Sequence, residues 1–218
     1  MKHYLALDIG NVLCKVDLRQ FTFAVSKVVN LSTWEVGHIV NRSQRLQDVG
    51  LLTMGEILES EFKIKSSVLL DELIDIWNNK VVTFDKNVFD FFSTMSKQYD
   101  LNIALLSNIG IDHAVIADKY IKDIIQSEVF VDAIRHYSCN VGVRKPQSLF
   151  FQSFLLQHPE FKGCVYLDDR EENLIASLPF GFYTQTFDLE SITNLKASLE
   201  YVENLLLEPK EEKNSRWH

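Results

Sequence analysis

The sequence predicts an α/β fold, a doubly wound, mainly parallel sheet that carries an all-helical insertion. Short apolar runs alternate along the chain with stretches of helical periodicity, which is typical of strands joined by helical crossovers. One long helical stretch separates the first apolar run from the second. Ligands of such sheets bind at the carboxyl ends of the strands, so we expect the residues that end these runs to lie together.

The first apolar run begins at Tyr4 and stops at Asp8, which a Gly-Asn turn follows. Its composition predicts a buried strand with a carboxylate at its carboxyl end. Taken alone, Asp8 is equally well explained as a turn residue, since Asp, Gly and Asn are common in turns.

Helical periodicity replaces the strand-like runs from Val16 to about Phe84. Two capping-box pairs, Ser32 with Glu35 and Thr53 with Glu56, mark the starts of helices in this stretch. The pattern therefore predicts an all-helical insertion between the first and second strands.

Two further strands end in polar residues, and a third is predicted before a lysine. The run 103–106 stops at Ser107, 165–167 stops at Asp168-Asp169, and 142–144 precedes Lys145, which Pro146 biases away from helix. Shorter strands are predicted near 133–137 and 182–187, and helices over 146–158 and up to about 206. Carboxylates can hold Mg²⁺ together with a substrate phosphate, while a hydroxyl and a lysine supply donors and positive charge to a phosphoryl group.

The ordered set Asp8, Ser107, Lys145 and Asp168-Asp169 resembles the four motifs of the haloacid dehalogenase (HAD) superfamily. Most members of that superfamily are Mg²⁺-dependent phosphatases that act through an aspartyl-phosphate. The stretches Asp-Ile-Gly-Asn-Val-Leu, Leu-Ser-Asn, Gly-Val-Arg-Lys-Pro-Gln and Leu-Asp-Asp-Arg-Glu-Glu-Asn resemble a bacterial branch that includes the α-glucose-1-phosphate phosphatase. The motifs span residue 8 to about residue 173.

The resemblance implies a Rossmann-like core made of 1–15 and 85–207, with 16–84 as a helical cap over the active site. The composition of 208–218 predicts a flexible tail. Asp8 is the implied nucleophile of a phosphatase that acts on a small phosphorylated metabolite, with a sugar phosphate as one candidate. The implied Mg²⁺ ligands are Asp8, the backbone carbonyl of Gly10, Asp169 directly and Asp168 partly through water, and the implied phosphate-binding residues are Asn11, Ser107, Asn108 and Lys145.

Some residues outside the motifs are candidates for contact with the substrate. His113 is the one histidine expected near the site, whereas Trp34 and Trp77 are expected to pack in the insertion. Charged residues on a surface helix usually face water, so the polar residues of the insertion are weaker candidates. They are Asn41, Arg42, Gln44 and Arg45.

One departure from the superfamily leaves alternatives open. Most phosphatases of this type carry a second aspartate two residues after the nucleophile as general acid, and here that residue is Gly10. The chain can be a phosphatase with another proton source, a dehalogenase in which Asp8 displaces halide without metal, or a non-catalytic binding protein of the same fold. The acidic pair Asp168-Asp169 favours the phosphatase. A phospho-receiver domain uses similar residues, but it has no room for an insertion of this length.

Composition excludes some classes of partner. The chain has 218 residues, 46% hydrophobic and 24% charged, and its net charge of -8 argues against nucleic acid. No apolar stretch approaches the roughly 18 residues of a membrane span, and no export signal is expected at the start. The three scattered cysteines indicate reduced thiols and a cytoplasmic location. The oligomeric state stays open, with a monomer favoured.

Overall fold

The structure is a computed structural model that describes residues 2–208. The predicted flexible tail, 208–218, lies outside the described residues except for Glu208, whose backbone N–H donates to the Asn204 carbonyl at the end of the last helix.

The described chain alternates strands and helices as the sequence predicts. The strands are β1 (Lys2–Leu7), β2 (Cys14–Val16), β3 (Val82–Phe84), β4 (Asp100–Ser107), β5 (Ile134–Tyr137), β6 (Val165–Asp168) and β7 (Tyr183–Thr186). The helices are α1 (Arg19–Val29), α2 (Thr33–Asp48), α3 (Met54–Ser60), α4 (Ser67–Lys80), α5 (Lys86–Gln98), α6 (Ile111–Tyr120), α7 (Glu128–Val131), α8 (Ser138–Val141), α9 (Ser148–Gln157), α10 (Glu171–Ser177) and α11 (Leu195–Leu207). A π-helical turn, Ile121–Ile125, and two 3-10 turns, Pro159–Phe161 and Leu178–Phe180, complete the described elements.

The main sheet has five strands in the order β5-β4-β1-β6-β7, and every neighbouring pair is parallel. The chain starts in the middle of the sheet with β1, and the remaining strands are added on both sides of it. This arrangement confirms the predicted doubly wound α/β fold.

Both faces of the sheet are buried, because successive side chains of a strand point to opposite faces. In β1, Leu5 and Leu7 join one hydrophobic cluster, while Ala6 joins the other. The first cluster includes residues of α5 and α11, and the second includes the phenylalanines of α9. Helices therefore cover the strands on both sides, which explains why the strands read as continuous apolar runs.

The helices α1 to α4 lie between β2 and β3, which pair antiparallel at the base of the insertion. Both predicted capping boxes are confirmed, with Ser32 and Glu35 starting α2 and Thr53 and Glu56 starting α3. The buried residues of the insertion form a hydrophobic cluster of their own, from Phe21 to Val81. This separate cluster supports the division of the chain into a core and a 16–84 cap, which stays a prediction.

Three local predictions are wrong. The strands β2 and β3 form a short ribbon at the two ends of a stretch that periodicity predicts to be all-helical. Lys145 follows no strand, because 142–147 is a loop after the short helix α8, and α9 begins only at Ser148. Trp34 is 76% exposed rather than packed.

Across 2–208, the search for a helix that combines the length and the low polarity of a membrane span finds none.

The loop after α2 leaves no room for a side chain at Gly50. A Cβ atom there would lie 2.4 Å from the Cys139 carbonyl oxygen, and φ is +73°. Gly142 has a similar φ of +71°, but nothing lies within 4 Å of its Cβ position. We expect Gly142→Ala to lower the free energy of unfolding by about 1 kcal/mol through backbone strain. Gly50→Ala should lower it by an additional amount on the order of 1–3 kcal/mol, because the Cys139 backbone must move.

Urea unfolding of the two variants beside the wild type measures this difference, with Gly142→Ala as the control for left-handed strain. Equal losses of stability in both variants would contradict the close packing of the α2 end against α8.

Candidate active site

Asp8 and Asp168 lie next to each other because of strand register. Leu7 of β1 pairs with Leu167 of β6, so the residues that follow them, Asp8 and Asp168, lie at the same carboxyl edge of the sheet. The Asp8 N–H donates to the Leu167 carbonyl at 2.9 Å, which continues the ladder to Asp8. Ligand oxygens of Asp8, Asp168 and Asp169 all lie within 4.8 Å of one another. The structure thus brings together the carboxylates that the sequence separates.

Lys145 is fully buried at the centre of this edge. Its ammonium Nζ lies 2.6 Å from Asp168 Oδ2 and 3.1 Å from Asp8 Oδ2, and it donates to the Leu106 carbonyl at 2.6 Å. Burial alone would lower the pKa of this ammonium, but the Asp168 and Asp8 carboxylates outweigh burial and raise the pKa. Lys145 is therefore a permanent cation between two strands.

Asp168 is saturated by protein donors. Its Oδ2 accepts from Lys145 Nζ and from the Tyr166 hydroxyl. Its Oδ1 accepts two further hydrogen bonds, one from the Arg170 N–H and one from Asn173 Nδ2, both at 2.9 Å. Burial opposes ionisation, but Lys145 and these hydrogen bonds outweigh it, so the pKa of Asp168 lies below its usual value. The sequence reasoning missed Tyr166 and Asn173, although both lie within five residues of the acidic pair.

Asp169 is only half-buried, and Asn11 Nδ2 donates to its Oδ2 at 3.0 Å. The side-chain carbonyl of Asn11 accepts from the Val16 N–H at 3.3 Å, and its φ of 53° is left-handed. The Asn11 side chain thus positions Asp169, and the phosphate-binding role that the resemblance implies for Asn11 stays a prediction. Asp169 keeps the solvent access that a metal ligand needs.

Ser107 ends β4 and is buried beside Asp8, where its side chain opposes the rise in the Asp8 pKa that burial causes. The Asn108 amide is held by the loop 142–147 that carries Lys145, which we call the lysine loop. Asn108 Nδ2 donates to the Lys145 carbonyl at 2.9 Å, and Oδ1 accepts from the Lys145 N–H at 2.8 Å. Asn108 therefore fixes the loop that carries Lys145. Any contact of Asn108 with a phosphoryl group would come from its remaining donors.

When all three carboxyls are ionised, the charges of this edge do not balance. Asp8, Asp168 and Asp169 would together carry three negative charges against one positive charge on Lys145. Burial, together with the charge of Asp168, raises the pKa of Asp8 to about 7 despite Lys145 and Ser107. Burial also raises the pKa of Asp169. Two carboxylates with raised pKa values, one of them open to solvent, fit a hard divalent cation such as Mg²⁺.

A cavity of about 170 Å³ lies between this edge and the insertion. Gly10 and Ser107 line it from the core, and Gln44 and Trp77 line it from the insertion. His113 lines it as predicted, and burial lowers the pKa of its imidazole. The other candidates of the insertion do not line this cavity: Asn41, Arg42 and Arg45 are exposed, and Arg42 pairs with Glu61.

A buried ion pair joins the insertion to the lysine loop. Arg144 Nη2 lies 3.0 Å from Asp48 Oδ2 at the end of α2, and Asp48 is only 2% exposed. Burial raises the pKa of Asp48 to about 6, against the attraction of Arg144. No motif surrounds Asp48, so its role could not be predicted from the sequence.

No family model and no curated protein matches the sequence. Solved structures do match. A HAD family enzyme of Bacteroides thetaiotaomicron, solved with magnesium and inorganic phosphate, is 17% identical, with a TM-score of 0.64 over 85% of this chain and 94% of that one. A predicted HAD-like family hydrolase of Porphyromonas gingivalis is 17% identical, with a TM-score of 0.68 over 96% of this chain and 100% of that one.

The chain has the haloacid dehalogenase fold. The L-2-haloacid dehalogenase of Xanthobacter autotrophicus, solved with chloropropionic acid covalently bound, is also similar, at 12% identity and a TM-score of 0.58 over 98% of this chain and 88% of that one. Proteins of this HAD fold thus include one solved with magnesium and phosphate and one solved with a halogenated acid. The likeness establishes the fold, and the chemistry must be argued from the site.

We expect Mg²⁺ to raise the midpoint of thermal unfolding, and to do so more at about pH 8 than at about pH 5.5. The raised pKa of Asp8, about 7, keeps this carboxyl protonated at the lower pH, so a metal must displace the proton. At the higher pH the ionised Asp8 destabilises the metal-free protein, and Mg²⁺ offsets that charge. A free magnesium concentration about 100 times Kd adds on the order of 2.7 kcal/mol.

Thermal unfolding with magnesium and with a chelator measures this effect. Asp169→Asn should lose most of the shift, whereas Asp71→Asn, an exposed acid on α4, is the control that should keep it. A shift that is the same at both pH values, or that survives in Asp169→Asn, would remove the metal from this site.

Proposed function

We propose that the protein is a Mg²⁺-dependent phosphatase that hydrolyses a small phosphate monoester through an aspartyl-phosphate on Asp8. The observation that carries the proposal is the cluster of three carboxylates around one buried lysine. A dehalogenase displaces halide without a metal, so its reaction does not require a cluster with this excess of negative charge. Phosphoryl transfer uses both a cation and a lysine to offset charge on the phosphoryl oxygens.

Asp8 is held in place for attack on phosphorus. Its Oδ1 accepts from the Ile9 N–H at 2.7 Å, and its Oδ2 lies 3.1 Å from Lys145 Nζ. Lys145 opposes the effect of burial on the pKa of Asp8, so it favours the ionised form, and it lies where it can also offset charge on the phosphoryl group. Ser107, buried beside Asp8 at the end of β4, is placed to donate to a phosphoryl oxygen.

Asp8, Asp169 and the Gly10 carbonyl would hold Mg²⁺, which when bound supplies positive charge to the phosphoryl oxygens. Asp168 takes no direct part in this set, because all its acceptor positions are used by Lys145, Tyr166 and backbone or amide donors. Its role is to position Lys145.

The reaction has two displacements at phosphorus. A carboxylate oxygen of Asp8 forms a bond to phosphorus as the bond to the ester oxygen breaks, and the leaving alkoxide takes a proton. Water then attacks the aspartyl-phosphate, loses a proton, and releases inorganic phosphate and Asp8. Position 10 offers no acid, so solvent supplies the first proton and takes the second.

Two features of the comparisons bear on this proposal. The magnesium and phosphate complex of the similar Bacteroides protein supports phosphate chemistry on this fold. The similar dehalogenase makes dehalogenation the second candidate. The insertion 16–84 acts in this proposal as the cap that selects the substrate, and a cytoplasmic location and a sugar-phosphate substrate remain predictions.

We expect Asp8→Asn to abolish phosphate release from p-nitrophenyl phosphate, with a loss of at least about 10³-fold in kcat, because the amide is not a nucleophile. Asp132→Asn, an exposed acid outside the site, is the matched control and should retain wild-type rates. Phosphate release is measured with magnesium and with a chelator. Chloride release from 2-chloropropionate that survives the chelator would assign the dehalogenase activity instead, and activity on neither compound would leave a binding protein.

Gly10→Asp should supply the missing general acid. A Cβ atom at Gly10 meets only Val16 Cγ2, at 3.7 Å, so an aspartate fits without a backbone clash. We expect kcat for an alkyl phosphate, whose leaving group needs a proton, to rise by about 10-fold or more. The rate with p-nitrophenyl phosphate, whose leaving group needs none, should stay within about 2-fold. Equal changes for both esters would show that proton donation does not limit the reaction.

A further inference from the structure

The lysine loop, 142–147, is held from two sides. The core holds it through Asn108, which forms two hydrogen bonds with the backbone of Lys145. The insertion holds it through Asp48, whose Oδ2 lies 3.0 Å from Arg144 Nη2. Arg144 is the residue before Lys145. The insertion therefore contacts the loop one residue away from the ammonium-bearing residue of the site.

Hydrogen bonds inside the loop connect Arg144 to its neighbours. The Arg144 N–H donates to Gln147 Oε1 at 3.1 Å, and the Gln147 N–H donates to the Arg144 carbonyl at 2.9 Å. At the start of the loop, the Gly142 N–H donates to the Ser138 carbonyl at 2.9 Å, which ties it to α8. Because these bonds close a short turn around Lys145, a shift of the Arg144 backbone would also move Lys145.

Asp48 and Arg144 depend on each other for charge compensation. Asp48 is 2% exposed, and the side chain of Arg144 is 23% exposed. Among residues 2–208, neither Asp48 Oδ2 nor Arg144 Nε has a hydrogen-bond partner. Arg144 lowers the pKa of Asp48 more than Arg170 or Lys145 does, although burial still raises that pKa to about 6. Loss of either charge would therefore leave the other without its main counter-charge.

Other polar contacts also attach the insertion to the core. Asp112 Oδ2 accepts from the Met54 N–H at 2.8 Å, at the start of α3. His113 Nε2 lies 3.1 Å from the carbonyl oxygen of Trp77 in α4. Both contacts start from α6 of the core, whereas the ion pair of Arg144 starts from the lysine loop. Of these three contacts, the ion pair is the one that links the insertion to the lysine loop.

The reaction proposed above depends on the exact place of the Lys145 ammonium. Its Nζ lies 2.6 Å from Asp168 Oδ2 and 3.1 Å from Asp8 Oδ2. A misplacement of about 1 Å in an active site can cost on the order of 10²-fold in rate. A loop that is held by the core alone would place the ammonium less accurately against Asp8 and the phosphoryl group.

We propose that Asp48 is a positioning residue of the phosphatase, because it holds the lysine loop through Arg144 and thereby keeps the Lys145 ammonium in place against Asp8. The insertion then contributes to the rate of the reaction as well as to the choice of substrate. This inference rests on the proposed phosphatase function.

Asp48→Asn and Arg144→Met each remove one charge of the pair and keep most of the side-chain volume. We expect each variant to lower kcat for p-nitrophenyl phosphate by about 10-fold or more, with KM changed by less than about 3-fold. Each should also lower the midpoint of thermal unfolding by about 5 °C or more, because one charge is left without its partner. A higher KM with an unchanged kcat would overturn the inference, since the pair would then bind the substrate directly.

The double variant Asp48→Asn/Arg144→Met separates positioning from stability. With no charge left unpaired, its midpoint of thermal unfolding should return to within about 2 °C of the wild type. Its kcat should stay about 10-fold or more below the wild type, because the loop has lost its link to the insertion. Recovery of kcat together with stability would overturn the inference. If a single variant does not fold, this comparison carries the test by itself.

Asp118→Asn/Arg135→Met is the matched control for the double variant. This ion pair, at 3.2 Å, lies outside the lysine loop, and the side chain of Arg135 is 22% exposed, close to the value for Arg144. The control should keep kcat within about 2-fold of the wild type. A loss as large as that of the double variant would overturn the inference, because the effect would then not be specific to the loop.

Hydrogen exchange tests the hold of Asp48 on the loop without any substrate. The N–H groups of Arg144, Lys145 and Gln147 are hydrogen-bonded in the wild type. In the double variant at Asp48 and Arg144, we expect peptides of 142–147 to exchange about 10-fold faster or more, and in the control variant they should exchange as in the wild type.

The exchange result separates the inference from the function on which it rests. Unchanged exchange in the double variant would overturn the inference, even when the wild type releases phosphate. If the wild type releases no phosphate and the loop exchanges faster in the double variant, the proposed phosphatase function fails, whereas the hold of Asp48 on the lysine loop is supported.

Discussion

The buried ammonium of Lys145 holds the carboxyl edge of the sheet together. A cation without solvent is strongly destabilising unless it is paired, and here Asp8, Asp168 and the Leu106 carbonyl surround it. These three partners belong to the ends of β1, β6 and β4, so one side chain from a loop joins three strands. The lysine loop is in turn held by Asn108. Removal of the Lys145 ammonium would leave Asp8 and Asp168 without the cation that they share.

Around this lysine, some residues hold other side chains in place, and other residues are free to react or to bind a metal. Asp168 accepts four hydrogen bonds, and its pKa is depressed, so it serves as a fixed anion. Asp8 and Asp169 keep raised pKa values, because burial and neighbouring negative charge disfavour their ionisation. A carboxylate with a raised pKa is unfavourable in its ionised form, so a divalent cation stabilises that form. Its higher basicity also makes it a better nucleophile. The same excess of negative charge thus supports both parts of the proposed chemistry.

The insertion adds a second constraint, because it encloses the space beside Asp8. Gly10 occupies the position at which an acidic side chain would project, and it lines the cavity instead. Trp77 closes the opposite wall and is fixed by its aromatic neighbours. The pair Asp48–Arg144 joins the insertion to the lysine loop, so the walls of the cavity and the catalytic edge are connected by a buried contact. In the proposed function, the core therefore carries the chemistry and the insertion selects the substrate.

Local sequence patterns were enough to predict the parallel sheet, both capping boxes and the placement of Asp8, Ser107 and the acidic pair at strand ends, because these features depend on periodicity along the chain. Tertiary structure alone decided that Lys145 reaches the site from a loop, that Asn11 and Asn108 orient other residues, and that the cavity is small and apolar. Such features arise from contacts between segments far apart in the chain, which no local pattern records. The physical reason is that strand ends follow from the chain's own hydrophobic repeat, whereas side-chain partners follow from packing.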